Sequence, residues 1–430
     1  MTLHQLLVYI FVLQLSCLLI SAKVFKLGKE ASVVYKWTKL DFNWTHTDDK
    51  QDSIRNGTFI VANNLITGIK VYSRRIFVTV PRWRPGVPST LNEVMNTNDD
   101  RAILNPFPTW GMQKIGDCDA FQYVQSMEID PNTGYMWIID TGSARGGTTQ
   151  CNAKIVIYDL KSDYIVRNHS FPENIVSKGT NFLNDIVIDY VNGKPRFAYI
   201  SDTGQVPKIV VYDYESDESY FFNHKSMYPE NGYMTISSKN DEQMNFTTPI
   251  DGIAMSPDFQ YVYFCALADQ NLYRIPTEVL RGRGNFSQSY QHVGRKSSPS
   301  DGMVFSQKGL YVGALTNDMV YKQSLESLQG ESNLTETPLF AQPMESLEWV
   351  DTFSIDEDGN LWFVANSLVR FFTNTMRFKY TDHANMRIWK VNIGENGYLC
   401  RDTNMASRQQ LPYPILILIM VLLIKFVIAL

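Results

Sequence analysis

The sequence predicts an all-β chain: one six-bladed β-propeller with four-stranded blades around a central channel. Three observations carry this. A short unit, an apolar strand followed by a polar turn and an aromatic or β-branched strand, recurs along the chain. Tyr, Phe and Trp make up 13% of the residues, and strands favour them. No stretch between the termini keeps a helical period over many turns.

The clearest copy is Pro249–Phe264, "PIDGIAMSPDFQYVYF". An Asp-Gly opens the first strand, Ser256-Pro257-Asp258 turns the chain, and Tyr261–Phe264 alternates back. Six copies open at Thr67, Gln125, Asn184, Asp251, Asp301 and Asp351, and their starts are 50 to 67 residues apart. That period suits propeller blades. The intervening runs "AKIVIYDL", "KIVVYDY", "QNLYRI" and "DMVYKQ" supply further strands. Short helices are expected at Leu91–Met95 and Thr277–Leu280. "SVVYKW" from Ser32 is expected beside "RIWKVNI" from Arg387, which would close the ring and remove an exposed edge. Two β-sandwiches are the alternative, and the single unbroken repeat argues against them.

The chain divides into a leader (1–22), the propeller (23–403) and an apolar tail (404–430). Leu6–Ile20 is apolar and ends at Ser21-Ala22, the pattern of a secretory signal peptide. Sequons at Asn43, Asn56, Asn168, Asn245, Asn285 and Asn333 agree with a glycosylated extracellular surface. Leu411–Leu430 is long enough to span a bilayer and is interrupted only by Lys425. With Ala406 and Ser407 before it, it reads either as a tail anchor or as a lipid-anchor signal. Beyond the leader stand Cys118, Cys151, Cys265 and Cys400, which allow three pairings. The short loop favours Cys118–Cys151, leaving Cys265–Cys400.

The formal net charge of −5, with no basic block, gives no support to a nucleic-acid partner. The histidines (His4, His46, His169, His224, His292, His383) form no metal-binding spacing, and no cysteine pair does. There is no nucleophile elbow and no phosphate loop. "GSARGG" from Gly142 leads from a strand into a loop rather than a helix.

What remains is the column of residues that opens the units: Thr67, Gln125, Asn184, Asp251, Asp301 and Asp351. Corresponding positions on innermost strands form a ring around the channel, so these should meet near one mouth with Glu128 and Asp185 close by. Such a ring repels itself unless protons, a cation or donors share it. Calcium at Asn184, Asp251 and Asp301 is one expectation, since it takes oxygen ligands in flexible geometry. A protonated amine is another. The bland reading is that each aspartate caps its own turn.

Several stretches together resemble the yellow and major royal jelly protein family of insects. They are "VTVPRWRPGVPSTLNEV", "NPFPTWGMQ", "MEIDPNTGYMWIIDTG", "LNDIVID", "AYISDTG" and "DGIAMSPDFQYVYFCAL", and the likeness covers nearly the whole mature chain. It implies a secreted six-bladed propeller with a role in cuticle pigmentation, development or secretion. Some members are credited with converting dopachrome to a dihydroxyindole; others bind biogenic amines through a threonine and an asparagine on late blades. The matching positions here are Thr352 and Asn366. The apolar tail is not a general feature of the family. Two functional classes follow, with a structural glycoprotein as a third. A binding protein would pair a catechol or indole amine with Asp301 or Asp351. A dopachrome isomerase would need a base, for which Glu128 and Asp185 are the candidates.

Overall fold

Six short inner strands run side by side around an axis: Ile69–Tyr72, Val124–Asp130, Leu183–Val191, Ile250–Met255, Met303–Ser306 and Val350–Ile355. Each begins one antiparallel four-stranded sheet, so the chain is a six-bladed propeller. The structure is a computed structural model. It describes residues 31–96, 102–144, 151–237, 242–329, 334–340, 345–379 and 384–400. The leader, the tail from 404 onward, His383 and the Asn333 sequon lie outside the described residues.

Blades 2 to 5 are built from consecutive strands, as is blade 1 (Ile69–Tyr72, Arg75–Thr79, Leu91–Met95, Ile103–Pro106). Blade 6 closes the ring: Val350–Ile355, Asn360–Asn366 and Met386–Asn392 are completed by Ala31–Trp37 from the start of the domain. Its register runs from Ala31 opposite Val391 to Trp37 opposite Met386. The N-terminal strand thus becomes the outermost strand of blade 6 and gives it the four strands of the others.

The turns between first and second strands are encoded locally. In blade 2, Asp130 Oδ1 accepts the Asn132 N–H at 3.0 Å, and Gly134 takes φ +81°, where a side chain would be strained. Blade 6 repeats the device with Asp356 and Gly359. Blade 4 uses Ser256, whose hydroxyl donates to Asp258 at 2.6 Å. The core lies between blades. Wholly buried Trp137, for instance, meets Tyr212 edge-on at 6.3 Å across the gap between blades 2 and 3.

Two expectations are corrected. Leu91–Met95 is a strand, not a helix: it pairs with Phe77–Thr79 on one side and Ile103–Pro106 on the other, and the ladder overrides a helix-compatible composition. Cys118 and Cys151 are joined, but Cys265 and Cys400 are both free. Cys265 is on the second strand of blade 4 beside Ser300, whereas Cys400 borders the cavity that holds Lys70 and Glu128. These places are at opposite ends of the channel.

Candidate functional site

The face where the inner strands begin, here the upper face, carries the predicted column. Thr67, Gln125, Asn184, Asp251, Asp301 and Asp351 are all buried. Neighbours touch: Asn184 donates its amide N–H to Asp251 at 2.5 Å, and Asp251 and Asp301 share a side-chain hydrogen bond. Thr67 Oγ1 is 3.2 Å from Thr79 Oγ1, which in turn donates to the Gln125 carbonyl at 2.7 Å.

The residue after each column member explains the Asp-Gly motif. A Cβ on Gly252 would come within 2.3 Å of the Asp301 carbonyl oxygen, and one on Gly302 within 2.1 Å of the Asp351 carbonyl oxygen. The adjacent inner strands are too close for a side chain there. Blades 2, 3 and 6 carry Ser126, Asp185 and Thr352 at this position and use them. Ser126 donates to Asp185 at 2.9 Å, and Thr352 donates to the Thr67 carbonyl at 2.6 Å while accepting the Ile69 N–H. In blades 2, 3, 4 and 6 the first ladder is shifted at this point, which re-aims the side chains.

The ring is not uniform. Over blades 4 to 6 it is roofed by an extra hairpin, Met234–Ser237 with Gln243–Phe246. Phe246 packs on Trp349 at 5.1 Å, and the Trp349 indole N–H donates to Asp301 at 2.7 Å. Beneath this roof, burial first and the Asp301 charge second hold Asp251 and Asp351 well above the usual carboxylate range. Burial pushes Asp301 up to about 6, against its hydrogen bonds from Asp251 and Trp349. Asp251 and Asp351 therefore hold a proton more tightly than an exposed carboxyl does.

Asp185 is different. As a residue it is half-buried, where the column members are buried. Burial raises its pKa to about 7, while Lys70, the Ile186 N–H and Ser126 pull it down. Lys70 is itself paired with Glu128 at 3.0 Å. Glu128 thus lies further down the channel than the column, not at the upper mouth with it. The lower mouth is stoppered by Gly397–Cys400. Tyr398 donates to Glu128 at 3.3 Å and accepts the Ile188 N–H at 3.0 Å, and Asn132 donates to the Leu399 carbonyl at 2.9 Å. Only about 40 Å³ of cavity is left there.

Among the described residues, a cavity adjoins the ring on the upper face, between blades 2 and 3. It holds about 350 Å³ and is lined by Tyr123, Thr141, Asn181, Phe182, Thr203 and Gln205, among others. The Tyr123 hydroxyl donates to the ring's Gln125 at 3.2 Å, so this cavity adjoins the blade 2 side of the ring.

The two residues matched from the family bond to column members. Thr352 joins blade 6 to blade 1, and Asn366 donates to Asp351 at 2.8 Å and to the Ile66 carbonyl at 2.9 Å. Arg82, of the conspicuous Arg-Trp-Arg, is wholly buried and donates to the carbonyls of Val87, Pro88, Gln113, Phe121 and Gln122. Burial lowers its pKa to about 10. The calcium set fits poorly. Asn184 turns its amide nitrogen toward Asp251, and the carboxyls share a proton. Among the described residues no three His, Cys, Asp or Glu are grouped to hold a metal. Lys70, Ser126 and Tyr398 escape sequence reasoning, because only the closed ring brings them to Asp185 and Glu128.

Residues 123–399 match the family model described as Major royal jelly protein. The chain is 25% identical over 386 residues to Protein yellow of Drosophila melanogaster, covering 83% of this chain and 67% of that protein. It is 25% identical over 391 residues to the Dopaminechrome tautomerase of Drosophila melanogaster, covering 85% and 82%. It is 24% identical over 391 residues to Major royal jelly protein 3 of Apis mellifera, covering 86% and 70%.

Proposed function

The chain belongs to the major royal jelly protein family, and from that membership we propose that it is a secreted propeller that isomerises an aminochrome-type ring in its channel. The similarity to a dopaminechrome tautomerase supports the reaction class. Such an isomerisation to a dihydroxyindole moves two protons, one off each saturated ring carbon, and places one on each quinone oxygen. Electrons are redistributed within the ring and none is gained or lost. The protein must therefore supply a base and an acid whose proton affinities are pushed apart.

The observation that carries this reading is the pairing of unlike carboxyls in one ring. Asp185, with a pKa of about 7, suits the base. Asp251 and Asp351, whose proton affinity burial raises well above that of a free carboxyl, suit the acid, with Asn184 hydrogen-bonded to Asp251 between them. Glu128, paired with Lys70, acts at a distance by shaping the charge that Asp185 feels. Half-buried Phe182, edge-on to buried Tyr123 at 5.9 Å, lines the entrance and offers an aromatic contact for a planar ring.

Secretion is supported by the leader, by the Cys118–Cys151 bond and by the exposure of Asn43, Asn56, Asn168, Asn245 and Asn285. A pigment-pathway role rests on the relatives' names alone. Amine binding is the second reading. It is favoured because no Lys or Arg of the described residues pairs with Asp251, Asp301 or Asp351, so an ammonium or another cation could replace their protons.

The test is turnover of dopachrome and dopaminechrome followed by absorbance, with calorimetry of dopamine and serotonin alongside. Asp185→Asn should cost about 10²- to 10⁴-fold in rate, the usual contribution of a general base. Glu128→Gln should shift the pH dependence and retain turnover. Tight amine binding with no turnover above the spontaneous rate would replace the first reading with the second.

A further inference from the structure

Four lysines are buried among the described residues: Lys70, Lys154, Lys208 and Lys296. Three of them face a carboxylate: Lys70 meets Glu128 at 3.0 Å, Lys154 meets Asp140 at 3.8 Å, and Lys208 meets Asp202 at 3.6 Å. Lys296 does not. At 2% exposure, its Nζ is 3.0 Å from the Cys265 sulfur and 2.5 Å from the Ser300 hydroxyl oxygen. No carboxylate of the described residues lies within ion-pair distance of it. A buried ammonium without an anion is costly. The one acceptor beside it that can become an anion is the thiol of Cys265, itself wholly buried and free.

We propose that Cys265 and Lys296 are a modification site, at which a peroxide joins the sulfur of one to the side-chain nitrogen of the other. The steps balance. The Cys265 sulfur, as thiolate, attacks one peroxide oxygen; an S–O bond forms, the O–O bond breaks, and the other oxygen leaves as water after taking up the thiol's proton. The result is a sulfenic acid. The Lys296 amine, having released its ammonium proton through the Ser300 hydroxyl to water, then attacks the sulfur. An S–N bond forms, the S–O bond breaks, and a second water leaves. Sulfur is oxidised by two electrons and the peroxide is reduced by two.

The competing outcome for a thiol in an oxidising compartment is a disulfide. Cys118 and Cys151 already use each other, and Cys400 is at the other end of the channel. The lysine stem is flexible, so closing from 3.0 Å to a bond needs no strand to move. The link would tie the second strand of blade 4 to the segment from Lys296 to Gly302, which carries Asp301 of the ring. It would also remove the thiol that the Asp251 carboxyl senses. Oxidation at this pair would thereby reset the roofed arc of the site, whatever ligand the channel takes.

The experiment treats the native full-length protein with hydrogen peroxide, then denatures it in an alkylating agent and maps the peptides. The expected result is a pair of peptides joined through Cys265 and Lys296, lighter than their sum by two hydrogens and separated again by dithiothreitol. Cys265 alkylation should fall at least tenfold. In Lys296→Arg the cross-link should vanish, and dimedone should capture Cys265 instead. Cys265 still fully alkylated after peroxide, oxidised in the wild type without a link, or bonded to Cys400 would each overturn the proposal. Should Lys296→Arg fail to fold, the wild-type map decides alone, with Cys265→Ala as the blank.

Discussion

Replacing Gly302 with alanine isolates the closeness of the inner strands. The added Cβ would lie 2.1 Å from the Asp351 carbonyl oxygen and 3.0 Å from the Thr352 Cα, both on the next blade. Ordinary contact begins at 3.4 Å, so blades 5 and 6 must part by about 1.3 Å at the ring. That opening stretches the Gly302 N–H bond to the Asp351 carbonyl, now 2.7 Å, beyond hydrogen-bond length. A lost buried hydrogen bond costs about 1 kcal/mol, and overpacking a rigid contact costs about 1–3 kcal/mol. The expected destabilisation is about 2–4 kcal/mol. Gly302 is not among the glycines of positive φ, so the loss is steric and not a backbone preference. Gly111→Ala is the control: its nearest neighbour would be the Thr109 hydroxyl at 3.5 Å, and its effect should stay within about 0.5 kcal/mol. Urea unfolding followed by tryptophan fluorescence, with the disulfide intact, measures both. A Gly302→Ala variant as stable as wild type would refute the explanation of the Asp-Gly motif.

Cys118→Ser opens a loop of 33 residues' separation and should cost about 3 kcal/mol of stability, read by the same unfolding assay against a reduced wild-type sample. Asp301 has its folded pKa raised from 3.8 to about 6, so the stability it adds is full below about pH 4 and is lost as pH rises through about 6. Asp301→Asn, which keeps an acceptor for the Trp349 indole, should therefore gain on wild type by about 2 kcal/mol between pH 4 and 7.5, measured as the difference in unfolding free energy. A constant difference across that range would mean that Asp301 ionises freely. If amines bind at the carboxyl arc, their affinity should rise with pH, since an ammonium must displace protons there. Calorimetry with serotonin at pH 5.5 and 8 gives the sign, and a flat profile would place the amine elsewhere.

The propeller was legible because its signals are local and repeated. Alternating runs such as Tyr261–Ala266 and Asp-Gly or Asx turns mark each hairpin without reference to the rest of the chain. Even the closing strand, Ala31–Trp37, could be assigned, since an unpaired edge has to be covered. Leu91–Met95 failed as a helix because neither its length nor its composition decides, and only its two strand partners do. The column was legible by alignment, but its chemistry was not. Whether an aspartate is ionised depends on what roofs it, and the Phe246–Trp349 contact joins residues about a hundred positions apart. For the same reason Glu128 looked equivalent to Asp185, until Lys70 and Tyr398 placed it below. Thr352 and Asn366 show the converse. Their family match was readable, while their use in joining blade 6 to blade 1 appears only with the ring closed.

The proton-transfer reading stands or falls on the pH dependence of kcat/KM for dopaminechrome, measured for wild type and Asp185→Asn. The account predicts a wild-type rate that climbs with pH as Asp185 loses its proton, half-maximal near about 7, and a variant slower by at least about a hundredfold with that inflection gone. A wild-type rate no faster than the spontaneous reaction, or the same inflection persisting in Asp185→Asn, would contradict it.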